Sequence, residues 1–157
     1  MIILILEGVM KLSTRGRYAP RAMLDLALNY GKGPLSLKNI ARRQEISERY
    51  LGHIMIALLS AGLVQSTRGS RGGFSLAKLP KEIKLSQIIQ AVEGSISLVA
   101  CVDDPKLCKR VDACVTHDIW KKVKKAMLEV FDSVTLEDMV KMQKKKLFKQ
   151  KDRMYYI

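Results

Sequence analysis

The chain has 157 residues, 48% of them hydrophobic, and a net charge of +13 with a pI near 9.8. That length carries one domain with a real core, or a small domain plus an oligomerisation helix. The apolar content excludes a disordered chain, and no apolar run reaches the roughly 18–20 residues that a membrane crossing needs.

Met1–Leu6 is apolar but too short for a signal peptide, and it lacks the basic residues that open one. Met10 reads as the natural start, with residues 1–9 as a leader. Ser13 or Thr14 is placed to cap a first helix running to Tyr30, with Ala22, Met23, Leu26, Ala27 and Tyr30 at helical spacing. Pro20 is expected in the first turn of that helix or at a kink. Gly31-Lys-Gly-Pro34 ends it. Ser36 starts a short second helix with Leu37, Ile40 and Ala41 inward. Gln44-Glu-Ile46 makes a turn, and Ser47 caps a third helix whose Leu51, Ile54, Met55, Leu58 and Leu59 form one apolar face. Gly62 suits its C-terminal cap.

The period then changes. Val64–Thr67 and Phe74–Ala77 read as strands around a glycine-rich basic tip, Arg68-Gly-Ser-Arg-Gly-Gly73. Leu85–Val92 is an amphipathic helix ended by Gly94. Residues 95–116 lack periodicity and contain all three cysteines. Asp118–Val134 reads as a long helix with a stripe of Ile119, Val123, Met127, Val130 and Val134. A last helix begins at Thr135, and the basic end from Lys141 is expected to fray.

Charge follows this division. Residues 10–80 hold 12 Lys/Arg against 3 acids, residues 81–140 hold 9 against 10, and residues 141–157 hold 7 against 1. The first half therefore reads as a surface for a polyanion.

Helix, turn, helix and hairpin in that order describe a winged helix-turn-helix: mainly α, with a two-stranded wing and a long dimerisation helix. The N-terminal part of the second helix of such a motif meets base edges in the major groove. Here it presents Ser47, Glu48, Arg49, Tyr50 and His53. Arg49 can fork onto guanine, while Ser47 and Tyr50 can bind phosphates. Arg68, Ser70 and Arg71 on the hairpin tip suit a groove or backbone contact, and Arg15 and Arg17 complete the DNA-facing set. The apolar stripe of the long helix is too extensive for so small a core to cover, which predicts a homodimer with two-fold symmetry.

The cysteines are spaced Cys101-x6-Cys108-x5-Cys114-x2-His117. Thiolates and an imidazole suit an iron–sulfur cluster and zinc alike. A structural zinc site usually shows a tight cysteine pair, and none is present. An odd number of cysteines without an export signal disfavours a disulfide framework and points to the reducing cytoplasm. No carboxylate–histidine pair near this loop has the pattern of a catalytic base, so the chain is not expected to be an enzyme. Neither a small-molecule substrate nor a membrane is expected as a partner.

The stretches Met10-Lys-Leu-Ser-Thr-Arg-Gly-Arg-Tyr-Ala, Ala22-Met-Leu-Asp-Leu-Ala-Leu-Asn and Gly62-Leu-Val-Gln-Ser-Thr-Arg-Gly-Ser-Arg-Gly-Gly-Phe, with Cys–Cys–Cys–x2–His before Trp120, resemble the IscR-type iron–sulfur regulators of the Rrf2 family. The likeness spans about residues 10–143. It implies a homodimer on double-stranded operator DNA. It also implies a 2Fe–2S cluster held by Cys101, Cys108, Cys114 and His117, and control of cluster-assembly or stress genes. The first cysteine gap is one residue longer than that pattern. Relatives that sense nitric oxide can hold a 4Fe–4S cluster with an acidic N-terminal ligand; Arg15 and Arg17 stand here instead, which favours the histidine-ligated form. A nitric-oxide or redox-sensing repressor and a structural-zinc DNA-binding protein are the alternatives. The expected organisation is a leader at 1–9, a winged helix-turn-helix at 10–80, a linker helix and cluster loop at 81–116, the dimerisation and terminal helices at 117–143, and a basic tail at 144–157.

Overall fold

A computed structural model describes residues 12–154, with side chains to Lys151; the leader and the start at Met10 lie outside the described residues. The chain forms α1 (Thr14–Leu28), α2 (Leu37–Gln44), α3 (Glu48–Ser60), β1 (Val64–Thr67), β2 (Gly73–Leu76), α4 (Leu85–Glu93), α5 (Val115–Asp132) and α6 (Leu136–Met154). Short 3-10 turns lie at Pro80–Glu82, Ala100–Val102, Pro105–Leu107 and Val111–Ala113.

Three serines set the entries of the first three helices. The hydroxyls of Ser13, Ser36 and Ser47 accept from the N–H groups of Gly16, Asn39 and Tyr50, each satisfying a donor that the first helical turn leaves unpaired. Pro20 does not occupy the first turn of α1. It stands inside the helix, where its missing N–H removes one ladder bond. The helix persists because Ala19, Ala22, Met23 and Leu26 are buried in the core, and tertiary packing outweighs the local cost. Between α2 and α3, Glu45 takes a left-handed conformation at φ 55°, which turns the chain within the three residues that separate the helices.

The core gathers Met23, Ile40, Leu51, Ile54, Met55 and Leu58 from the first three helices with Ile88 of α4 and Leu136 of α6. The antiparallel hairpin pairs Val64 with Leu76 and Thr67 with Gly73. Its second strand is bonded on the outer side too: Leu35 and Phe74 exchange backbone hydrogen bonds of 2.8 Å in both directions. Gly73 makes this approach possible. Its φ is +153°, and a Cβ there would stand 2.8 Å from the Ser36 nitrogen, with the Leu35 carbonyl closer still.

The end of the chain differs from expectation. No break separates residues 136–143 from 144–154, and one helix continues to Met154. Lysine, glutamine, leucine and methionine are good helix formers, so the basic run propagates the turn that Thr135 and Asp138 start. The Thr135 hydroxyl donates to Asp138 at 2.6 Å, and the Asp138 N–H donates back to the Thr135 hydroxyl at 3.2 Å.

Candidate functional site

The candidate DNA face rests on the N-terminal ends of α1 and α3. Glu48, Arg49 and His53 of α3 are exposed, as are Ser47, Arg15 and Arg17, while Tyr50 is half-buried. Their opposite faces are tied down: Leu51, Ile54, Met55 and Leu58 are sealed in the core, so the outward face has one orientation. Thr14, Tyr18, Ser47 and Tyr50 line one shallow cleft, so the structure brings the first turns of the two helices together. Arg68, Ser70 and Arg71 are exposed at the hairpin tip.

Two residues that the sequence reading does not single out belong to this face. Tyr18 meets Tyr50 edge-on with ring centres 6.0 Å apart. The guanidinium groups of Arg17 and Arg21 lie 5.7 and 5.3 Å from the Tyr18 ring centre. Cations over an aromatic face are attracted by its quadrupole, which holds these two side chains beside Tyr18, and Arg21 also donates to Gln44 at the end of α2. The available signal is the spacing, since Arg17 and Arg21 sit one helical turn apart around Tyr18. Behind them, Arg43 of α2 clamps the buried Asp25 of α1 with three hydrogen bonds of 2.8–3.0 Å, fixing the angle between these helices.

The cysteine segment follows directly from this domain. Glu93, the last residue of α4, accepts from the Ser13 hydroxyl, so the capping residue of α1 also grips the end of α4. Beyond Gly94, Cys101 sits in the first 3-10 turn, Cys108 closes the second and Cys114 caps α5. All three are half-buried free thiols. The Cys114 thiol titrates below its ordinary value, chiefly through the Thr116 hydroxyl at 3.2 Å and further through backbone N–H groups of the first turn of α5. The loop is fastened to α5 by Asp103, which accepts from Lys124 and Ser97 at 2.6 Å each. Lys124 and the loop serines hold its carboxyl down at a pKa of about 2.

His117 is the only buried residue of α5, at 5% exposure, and its Nδ1 has no hydrogen-bond partner among the described residues. Buried polar atoms are nearly always paired, so this nitrogen calls for a ligand. The donor set of three thiols and an imidazole fits a soft metal centre. Cys114 and His117 share the first turn of α5. The four side chains are not gathered into one coordination sphere: among the described residues, no three His, Cys, Asp or Glu form a metal-holding group.

The predicted stripe is partly uncovered, and its last member, Val134, lies just past the end of α5. Ile119 is 47% and Val130 61% exposed, and Val123, Met127 and Val134 are half-buried. Among the described residues no helix is long and apolar enough to cross a membrane.

Comparison with known proteins agrees with this architecture. A family model described as Rrf2, iron-dependent transcriptional regulator, matches residues 12–142. The HTH-type transcriptional regulator CymR of Bacillus subtilis is 42% identical over 130 residues, which cover 83% of this chain and 89% of that protein. The solved structure of T. potens IscR is 45% identical with a TM-score of 0.70, covering 85% of this chain and 88% of the other. That of CymR, described as the global cysteine regulator of B. subtilis, is 39% identical with a TM-score of 0.70, covering 84% and 97%. The relatives are named as regulators and not as enzymes, in line with a chain that reads and does not react. With a family model along most of its length and relatives sharing its helix-turn-helix and wing, the chain belongs to the Rrf2 family of bacterial transcriptional regulators.

Proposed function

We propose that this regulator binds operator DNA as a homodimer in the cytoplasm, and that an iron–sulfur cluster on Cys101, Cys108, Cys114 and His117 controls that binding. The observation that carries the reading is the buried, unpartnered Nδ1 of His117 beside a loop of three thiols. When bound, such a cluster supplies a redox-sensitive link between the loop and the first turn of α5. The chain's own residues do the rest. Cys114 carries a thiol already inclined toward the thiolate, the form that ligates metals. His117 is held in the first turn of α5 and supplies an imidazole nitrogen to the donor set. Arg49, His53 and Glu48 face the major groove, Ser47 and Tyr50 the backbone, and Arg68, Ser70 and Arg71 the flanking groove. Arg15 and Arg17 add charge at the start of α1. The similarity to IscR supports regulation of cluster-assembly or stress genes, with a 2Fe–2S centre.

A second reading is a regulator that works without a cluster, or with structural zinc. It is favoured by the four side chains not converging and by the similarity to a global cysteine regulator. Protein purified without oxygen separates the two. A brown protein with visible charge-transfer bands, altered in His117→Ala, is expected. A colourless protein that still binds its operator, or one holding stoichiometric zinc, sinks the cluster. An unchanged spectrum in His117→Ala removes His117 as the fourth ligand.

A further inference from the structure

We infer that the C-terminal half of α6 is a second DNA-binding element, which grips the phosphates of duplex flanking the site read by the winged helix. The inference rests on the DNA binding of the family and not on the cluster. The family match ends at residue 142, whereas α6 continues to Met154. Twelve further residues of helix extend about 18 Å at 1.5 Å each. Between Asp138 and Asp152 there is no acid, and Lys141, Lys144, Lys145, Lys146, Lys149 and Lys151 fall in that interval. Among the described residues of this half, Lys141 is the lysine paired within the helix, with Glu137 at 2.8 Å. Residues 144–151 are all exposed, so their charge is not consumed by packing.

The placement of the helix is compatible with this role. α6 starts where Thr135 bridges Lys84. It then passes Leu79 and Pro80, on the return from the wing, and Tyr30 at the end of α1. Val140, Lys141 and Lys144 share a cleft with those residues. The lysine-bearing half thus leaves the domain from the base of the wing.

The charge pattern selects the partner. A helix that lies on a membrane needs an apolar face segregated from its basic one. Here Leu147 and Phe148, both exposed, stand about 100° apart on the helix with Lys144 and Lys151 between them, so they do not form one apolar face. A second copy of the same helix would be repelled. Duplex DNA carries one negative charge per about 1.7 Å of axis and rewards lysine contacts by releasing counterions, without reading sequence. Such an element raises affinity and leaves specificity to α3 and the wing.

The test uses the full-length protein and a duplex that it selects from a random-sequence pool. The duplex is made in a trimmed form and with about one extra helical turn, ~10 bp, on each side. The variant combines Lys144→Gln, Lys145→Gln, Lys146→Gln and Lys149→Gln, which keeps good helix formers. Wild type should bind the extended duplex about tenfold or more tightly than the trimmed one, and the variant should lose that gain. The salt slope should fall by about 2, or one phosphate contact of ~0.9 for each of two extensions. Arg68→Ala should weaken binding to both duplexes while keeping the flank gain. An unchanged slope and flank gain in the lysine variant overturn the inference. So does wild-type pelleting with phosphatidylglycerol–phosphatidylcholine vesicles that the variant loses while its DNA slope stays put, since α6 would then be a membrane element. A protein that selects no duplex overturns the operator reading itself, and this inference with it.

Discussion

Asp25 and Arg43 show how unequal the two halves of an ion pair can be. The Asp25 side chain is 6% exposed and that of Arg43 is 38% exposed. Removing the arginine strands a carboxylate in the core, whereas removing the acid leaves a guanidinium that reaches water. Arg43→Ala should therefore cost about 2–3 kcal/mol, at or below the range for breaking a buried pair because one partner is partly solvated. Asp25→Asn should cost only about 1 kcal/mol. Urea denaturation of both variants checks the order, and equal losses would show that the pair is effectively solvent-exposed. This pair was not legible in the sequence. Its members lie 18 residues apart on separate helices, and only the packing of α1 on α2 brings them together. The exposed positions of Arg49 on α3 and Arg68 on the hairpin tip were legible because their signal is local, a cap and a glycine-rich tip.

At the scale of elements, the caps were the most readable feature. Ser13, Ser36 and Ser47 each precede an apolar periodic run, and each caps its helix. Boundaries were less readable. The second strand begins at Gly73, one residue before the apolar alternation suggests. α5 begins at Val115, ahead of the periodic stripe, with Cys114 at its N-cap and the buried His117 in its first turn. The basic end of α6 reads as fraying when helix propensity is discounted against charge. The wing carries a sharp expectation. Gly73→Ala places a methyl group against the Leu35 carbonyl and the Ser36 nitrogen in a backbone conformation that favours glycine. Its cost should be about 2 kcal/mol or more, seen as a lower urea midpoint. Because the clash is with backbone, DNA affinity should fall as well. A variant with unchanged stability would mean that the Leu35–Phe74 bridge yields freely.

For the whole molecule, the uncovered face of α5 matters most. Exposed large apolar side chains such as Ile119 and Val130 on one helix are what a partner subunit would cover. Val130→Lys should shift the protein from dimer to monomer in light scattering at micromolar concentration, with helical content unchanged. Operator affinity should drop by about a hundredfold or more, because a single recognition helix loses the second half-site about one helical turn away. A variant that stays dimeric would place the interface elsewhere. The stripe was readable from spacing alone. Whether four side chains converge on a metal was not, since that depends on the path of an irregular loop whose turns leave no periodic trace.

The bridge between Leu35 and Phe74 has a consequence for solubility. A two-stranded hairpin has two open edges, and an open edge is a template on which another chain can add a strand. Leu35 occupies the outer side of β2 at its centre, taking both backbone groups of Phe74. The apolar strand of the pair, with Phe74 and Leu76, is therefore the one that is closed. The edge left open belongs to β1, where Gln65, Ser66 and Thr67 are exposed and polar. A crowded, highly charged DNA-binding protein thus exposes only its less adhesive strand to chance pairing.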